Sequence, residues 1–211
     1  MLVFATFTHI ACGQLAEAED LFRKSLNICT ERGFLVNGAT NTIFMGLVSV
    51  LRGQAVAGLE QLHRGIELRS ASAGVGQQPE PHGLYLAHGL ASAGRPDDAL
   101  AALVPDLQRM EQSGVVHTLV DMYLLRGRLF VDKSNAKEAE NSFRTAIEIA
   151  RRQRAKSLEL RATTSLVRLL VKQGRPDDAR AMLAEIYNWF TEGFDTADLK
   201  DAKALLDELS K

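Results

Sequence analysis

The chain has 211 residues, 46% hydrophobic and 24% charged, a composition typical of folded globular proteins rather than disordered ones. Its 25 basic and 26 acidic side chains give a formal net charge of -1, which excludes a whole-chain field that would attract nucleic acid or an anionic membrane. Charges interrupt every apolar run well before the roughly 20 residues that a membrane span needs. With two cysteines, Cys12 and Cys29, and no secretion signal at the start, we expect a cytoplasmic protein without disulfides.

One type of segment recurs along the chain and separates stretches with apolar residues at helical spacing. In chain order the segments read "CGQLAEAE", "RGQAVAGLE", "AGRPDDAL", "KSNAKEAE" and "QGRPDDAR". A marker residue in them returns every 40 or 41 positions, at Gly13, Gly53, Gly94, Ser134 and Gly174. This period predicts a repeat of two helices joined by a turn, in which glycine ends the first helix in a left-handed conformation.

A small and a large residue follow each marker at fixed distances. Five positions on, the small residues are Ala18, Gly58, Ala99, Ala139 and Ala179. Nine positions on, the large residues are Phe22, Leu62, Leu103, Phe143 and Leu183. We expect the small residue to let two helices approach closely and the large one to fill the space beside it. Most first helices also carry a small residue facing the partner, at Gly46, Ala87 and Gly127, whereas Val167 departs from the pattern.

The apolar periodicity predicts eleven helices and no strand. In chain order they cover residues 2–12, 15–31, 37–51, 54–71, 80–93, 96–112, 115–132, 136–153, 157–173, 176–190 and 197–209. We group them into repeats at about 1–32, 33–72, 79–112, 113–153 and 154–190, with a capping helix at 196–209 whose N-cap is Thr196 or Asp195. The predicted fold is all-α: a right-handed α-solenoid of about five helix-turn-helix repeats plus the capping helix, in one domain over residues 1–211.

The two ends of the chain differ in this prediction. The C-terminal end has its capping helix, whereas Met1 falls inside the first helical pattern, so we expect a fragment of a longer protein. An uncapped first repeat would also expose apolar side chains and predicts a homodimer through that repeat. The side chains concerned are Leu2, Val3, Phe4 and Phe7.

The sequence contains no constellation that predicts catalysis, a metal or a cofactor. "GVGQQ" at 74–78 lacks the lysine of a phosphate-binding loop and is interpreted as a linker. The histidines lack the i, i+4 spacing of a zinc pair on one helix. The acidic pairs Asp97/Asp98 and Asp177/Asp178 begin helices, where the helix dipole favours negative charge. The cations at 151–156 close a helix and are too few to predict nucleic-acid binding. Aromatic residues Trp189, Phe190 and Phe194 are expected in the core, against the alternative that they form an exposed contact surface.

The spacing of glycine, small residue and large residue resembles that of tetratricopeptide repeats over essentially the whole chain, although roughly 34 residues is the usual period. Residues 179–209, "ARAMLAEIYNWFTEGFDTADLKDAKALLDEL", look like the C-terminal end of the repeats in large bacterial signalling proteins. Those proteins carry an adenylate or guanylate cyclase domain and a STAND-type ATPase domain. Residues 139–170 are similar to the repeat that precedes this end. The resemblance implies a regulatory arm; the catalytic domains have no counterpart here.

The resemblance also implies a concave groove lined by the first helix of each pair. Carried over by register, its positions are Thr40, His88, Asp121, Arg128, Arg161, Thr164, Arg168 and Lys172. The basic members predict a clamp for an acidic segment or a chain-terminal carboxylate, against the alternative that they are solvated surface charges. We therefore expect a protein-interaction module that binds a peptide or partner domain. The alternative is a C-terminal regulatory arm that acts on the catalytic domains of its own parent protein.

Overall fold

A computed structural model describes residues 14–71, 80–114, 116 and 118–210 of the chain. Within these residues it contains ten α-helices and no strand, which confirms the predicted all-α class. The helices are α1 (Leu15–Arg32), α2 (Leu35–Leu51), α3 (Ala55–Ala71), α4 (His82–Ser92), α5 (Pro96–Ser113), α6 (Leu119–Asp132), α7 (Ala136–Arg152), α8 (Lys156–Lys172), α9 (Pro176–Tyr187) and α10 (Ala197–Glu208). The helix predicted over 2–12, the proposed dimer residues and the 74–78 linker lie outside the described residues.

The chain divides into two compact units, Met1–Arg109 and Met110–Lys211, and the boundary in the sequence falls within α5. In the first unit, α1 packs on α2, α2 on α3 and α3 on α4. In the second unit, α6 packs on α7, α7 on α8 and α8 on α9, while α10 contacts both α8 and α9. These helices therefore pack chiefly against their neighbours in sequence, as a stack of helical hairpins requires.

Burial follows the predicted register of small and large residues. All five small residues and all five large residues are buried. Helices α2 and α3 approach each other closely. A Cβ atom on Gly46 would lie 2.8 Å from the amide nitrogen of Leu62, and one on Gly58 would lie 2.7 Å from the carbonyl oxygen of Gly46. The two backbones touch at this crossing, so neither position has room for a side chain.

The turns between paired helices share one geometry. Gly53, Gly94 and Gly174 have φ of 84°, 72° and 76°, in the left-handed region that the sequence predicts. At Gly174 the amide donates to the carbonyl of Val171, and the next amide, of Arg175, donates to that of Leu170, both at 3.0 Å. This pair of bonds is the Schellman motif, which satisfies carbonyls at the helix end. The acidic pairs stand in the first turns of α5 and α9, as expected.

Thr196 is the N-cap residue of α10, as predicted, although its hydroxyl donates to the carbonyl of Gly193 (2.8 Å) and accepts no hydrogen bond from the helix. The predicted core position of two aromatic residues was wrong. Trp189 is 58% exposed and Phe194 46% exposed, rather than in the core. The reason is that the repeat stops at Tyr187, so no following helix pair covers residues 188–196.

Candidate functional site

Six of the predicted groove residues lie in the second unit, on the first helix of two successive pairs. Asp121 and Arg128 are on α6, whereas Arg161, Thr164, Arg168 and Lys172 are on α8. Helices α6 and α8 contact each other. Steps of seven and then four residues separate the three cations of α8, so they lie along one side of the helix while the apolar positions between them pack inward. We refer to Arg128, Arg161, Arg168 and Lys172 as the basic face.

Carboxylates of the capping helix already contact two members of the basic face. The Arg161 guanidinium donates to Asp198 with Nη2 2.7 Å from Oδ2 and Nε 3.3 Å from the same atom. One turn further along α10, Asp201 accepts from Nη2 of Arg168 at 2.5 Å. Both pairs are partly exposed, since the side chains of Arg168 and Asp201 are 50% and 48% accessible. The geometry is therefore that of an arginine pair binding two carboxylates.

Charges across the face influence one another. A hydrogen bond to Asp198 raises the pKa of Arg161. Burial raises the pKa of Asp121, and the positive charges of Arg161 and Arg128 oppose that rise. Burial also lowers the pKa of Arg128, and the nearby Arg161 adds to the effect. The carboxylates of Asp121 and Asp198 act in the opposite direction on Arg128, whereas Arg161 and Arg168 repel it. Arg128 takes part in no ion pair within the described part of the chain. An added carboxylate would relieve this repulsion.

The other predicted groove residues are buried or half-buried. Thr164 is 4% exposed and its hydroxyl donates to the Leu160 carbonyl (2.8 Å), so its assignment to the groove is corrected. The threonine methyl and hydroxyl fit the helix interface because the hydroxyl is satisfied by its own helix. Thr40, which donates to the Val36 carbonyl (3.1 Å), and His88 are half-buried and belong to the first unit, on α2 and α4.

Sequence reasoning missed a cleft of about 630 Å³ beside the basic face. Its apolar wall consists of Leu160, Trp189, Phe190 and Leu199, and Asp198 stands at its edge. The Lys156 ammonium lies 5.7 Å from the centroid of the Trp189 ring, a cation–π distance. The feature of the sequence that could have indicated this cleft is the break in the repeat period after α9, because no helix pair then covers the aromatic segment.

Sequence reasoning also treated Asp198 and Asp201 as ordinary residues of the capping helix. Their spacing of three residues places them on one side of a helix, and their sign is opposite to that of the arginines on α8. This spacing and charge can be read from the sequence, but they do not indicate which helix α10 contacts.

Among the described residues, no group of three or more His, Cys, Asp or Glu side chains is arranged to hold a metal ion. No helix in the described ranges has the length and apolarity to cross a membrane.

Two segments of the second unit match family models described as tetratricopeptide repeat, over residues 120–153 and 160–185. These segments contain all four members of the basic face, with Arg128 in the first segment and Arg161, Arg168 and Lys172 in the second. The helical-hairpin fold is tetratricopeptide-like. A comparison with curated proteins finds no match. These matches do not confirm the likeness to cyclase and STAND ATPase repeats that the sequence suggests.

Several solved structures share this tetratricopeptide-like fold. A Rap protein complexed with Competence and Sporulation Factor has a TM-score of 0.77 at 17% identity; the match covers 99% of this chain but 56% of the Rap chain. BtubC from P. vanneervenii gives 0.70 at 14% identity, covering 93% and 89% of the two chains. Kinesin light chain TPR-like repeats from Podosopora anserina give 0.62 at 13% identity, covering 88% and 91%. At these identities the likeness shows the fold alone.

Proposed function

We propose that the chain is a protein-interaction module whose basic face binds an acidic segment of a partner polypeptide. The observation that supports this proposal is the contact of Arg161 and Arg168 with the carboxylates of Asp198 and Asp201, 2.7 Å and 2.5 Å away, because two side chains of α8 there bind two carboxylates at once. Arginine is suited to this task, since its planar guanidinium donates two parallel hydrogen bonds to one carboxylate.

The fold supports a binding role. Tetratricopeptide-like arrays present extended surfaces on which peptides and domains dock. One structure that shares the fold, the Rap protein, is complexed with Competence and Sporulation Factor, and by analogy we extend peptide or protein binding to this chain. The free thiol of buried Cys29 suits a reducing cytoplasm, where we place this activity.

The proposal is tested by affinity capture from lysate of the source cells with three immobilised chains. These are the wild type, a face variant (Arg161→Gln/Arg168→Gln/Lys172→Gln) and a control variant. The control, Lys137→Gln/Arg152→Gln/Arg180→Gln, removes three exposed cations elsewhere in the second unit and so has the same net charge as the face variant.

We expect mass spectrometry to identify a polypeptide that the wild type and the control retain and the face variant loses. A synthetic acidic segment of that polypeptide should then bind the wild type at least tenfold more tightly than the face variant, since two charge-assisted contacts are removed. Retention of the same partners by all three chains, each with an unchanged thermal melt, would exclude the basic face as the binding site.

A second proposal is that the chain is the C-terminal regulatory arm of a bacterial nucleotide cyclase or STAND-type ATPase and acts on the catalytic domains of that parent. It rests on the resemblance of residues 179–209, which correspond to α9, the aromatic segment and α10. Reading the coding frame upstream of Met1 tests it. A frame that encodes a cyclase or a phosphate-binding loop would support this role, whereas a stop codon directly upstream would exclude it.

A further inference from the structure

The contacts between α8 and α10 are arranged in register. Arg161 and Arg168 are seven residues apart on α8, and their partners Asp198 and Asp201 are three residues apart on α10. Both spacings keep the side chains on one side of their helix. The two helices therefore match a pair of cations with a pair of carboxylates, as a binding site matches a ligand.

The carboxylates of Asp198 and Asp201 are not the groups that hold α10 against its neighbouring helices. Leu199, Ala202 and Leu205 are buried against the neighbouring helices, and apolar burial of this kind holds a helix in place without ion pairs. The two aspartates stand beside that apolar stripe and remain a third to a half exposed. Their side chains can leave the arginines by rotation while the helix stays docked.

Exposed ion pairs of this kind are also weak. Double-mutant cycles on exposed pairs give small coupling energies, equivalent to about 1.4- to 5-fold in an equilibrium constant for each pair. A carboxylate from outside therefore competes with Asp198 or Asp201 at little cost. Arg128, which has no ion pair in the described chain, adds a third cation beside them.

We infer that the ligand of the basic face is a helical segment with two carboxylates one turn apart. Asp198 and Asp201 are an internal copy of this carboxylate pair: they contact the same arginines and therefore weaken the binding of the ligand by competition. This inference rests on the proposed function, because it assumes that the face binds an acidic segment. Beyond the proposed function, the inference specifies the spacing of the two charges on the ligand and names Asp198 and Asp201 as competitors within the chain.

The test is an NMR titration that follows the Nε–Hε signals of Arg161 and Arg168. The probe is an alanine-based helical peptide with two glutamates three positions apart, and its isomer has the same glutamates two positions apart, on different sides of the helix. The freed variant, Asp198→Asn/Asp201→Asn, removes the internal carboxylates with little change in shape.

The matched control is Glu185→Gln/Glu208→Gln, which changes the net charge equally. Both glutamates are exposed on α9 and α10, and neither takes part in an ion pair within the described residues. We expect the freed variant to bind the probe about 2- to 30-fold more tightly than the wild type, from two pairs of the stated strength. The control should bind like the wild type, and the isomer should bind more weakly than the probe.

Three results would each exclude a different part of the inference. Equal affinity of the freed variant and the control would exclude the internal copy and leave the proposed function intact. Equal affinity for the probe and its isomer would exclude the one-turn spacing. Binding of neither peptide to any chain would exclude the basic face as an acidic-segment site altogether. If the freed variant melts lower than the wild type, Asp201→Asn alone is used, with about 1.4- to 5-fold expected.

Discussion

Residue 134 occupies a turn position that the other described repeats give to glycine. Ser134 has φ of 56°, and its amide donates to the Val131 carbonyl (2.9 Å) as the glycine amides do in the equivalent turns. A side chain in the left-handed region is disfavoured, whereas glycine enters it freely. We expect Ser134→Gly to raise the free energy of unfolding by about 0.5–1 kcal/mol, measured by urea denaturation.

The control for this substitution is Lys137→Gly, in the first turn of α7 and on its exposed side. It introduces the same residue into a right-handed helical position and should destabilise the fold by up to about 1 kcal/mol. A destabilising Ser134→Gly would show that the serine side chain contributes more than the left-handed backbone costs.

Glu159 is the most buried carboxylate of the second unit, at 3% exposure. It accepts from Arg151 Nε (2.6 Å) and Lys156 Nζ (2.7 Å). Burial by itself would raise the pKa of Glu159, but the hydrogen bonds and charges of the two cations outweigh it and hold the pKa below the ordinary 4.5. Its stabilising contribution is therefore complete above about pH 4.5 and is lost as the pH falls through the folded-state pKa.

We predict that Glu159→Gln lowers the free energy of unfolding by about 1–3 kcal/mol at pH 7 and by clearly less at pH 3.5. Urea denaturation at the two pH values measures the difference. Glu185→Gln, at an exposed site on α9, serves as the control and should change stability by less than about 0.5 kcal/mol at either pH. An equal loss for Glu159→Gln at both pH values would contradict the role of its ionised form.

At the scale of the helices, the crossing of α2 and α3 depends on two glycines. Gly46→Ala gains helix propensity of about 0.5–1 kcal/mol, but its Cβ would lie 2.8–2.9 Å from backbone atoms of α3. Backbone cannot move aside as a flexible side chain does, so we expect a net loss of about 1–3 kcal/mol in thermal or urea unfolding.

Gly38 on the same helix provides the matched control. A Cβ there would lie 3.7 Å from its nearest neighbour, which is an ordinary contact. Gly38→Ala should therefore stabilise the protein by about 0.5–1 kcal/mol. If Gly46→Ala is equally stabilising, the two helices are farther apart than these distances indicate.

The extent of most helices could be predicted from the sequence because the period, the turn glycines and the apolar stripes all indicate the same boundaries. The start of α6 could not. Residues 115–132 read as one helical pattern, but the helix begins at Leu119, and the Val116 carbonyl instead accepts from the Gln153 side chain (2.7 Å) at the end of α7. That contact is tertiary and leaves no periodic signal.

The candidate site was predictable to a similar degree. The resemblance to tetratricopeptide repeats, carried over by register, gave Arg161 and Arg168 as groove residues on one side of α8, because equivalent positions of a repeat share an orientation. The partners Asp198 and Asp201 could not be assigned, since the capping helix lies outside the repeat and has no register to carry over. Thr164 was misassigned because threonine suits both a surface and a helix interface.

For the whole molecule, the repeat architecture predicts that a destabilising core substitution lowers stability mainly in the helices around it. In a stack of helical hairpins each repeat contacts its neighbours, so stability is approximately a sum of nearest-neighbour contributions. Leu183→Ala removes a fully buried side chain of α9. We expect hydrogen exchange to show opening free energies lower by about 2–4 kcal/mol in α8–α10 and by less than about 1 kcal/mol in α1–α3. Equal losses in both sets would indicate one cooperative unit.

The chain's one tryptophan is the exposed Trp189 of the cleft wall, with the Lys156 ammonium near its ring and Asp198 lining the same cleft. Its indole emission consequently reports on a single place in the molecule, next to the side chain that an acidic ligand would displace. A water-exposed indole emits at long wavelength and is accessible to acrylamide; occupancy of the cleft would shift the emission to the blue and reduce quenching. The protein thus contains its own optical reporter of binding, and no label is needed.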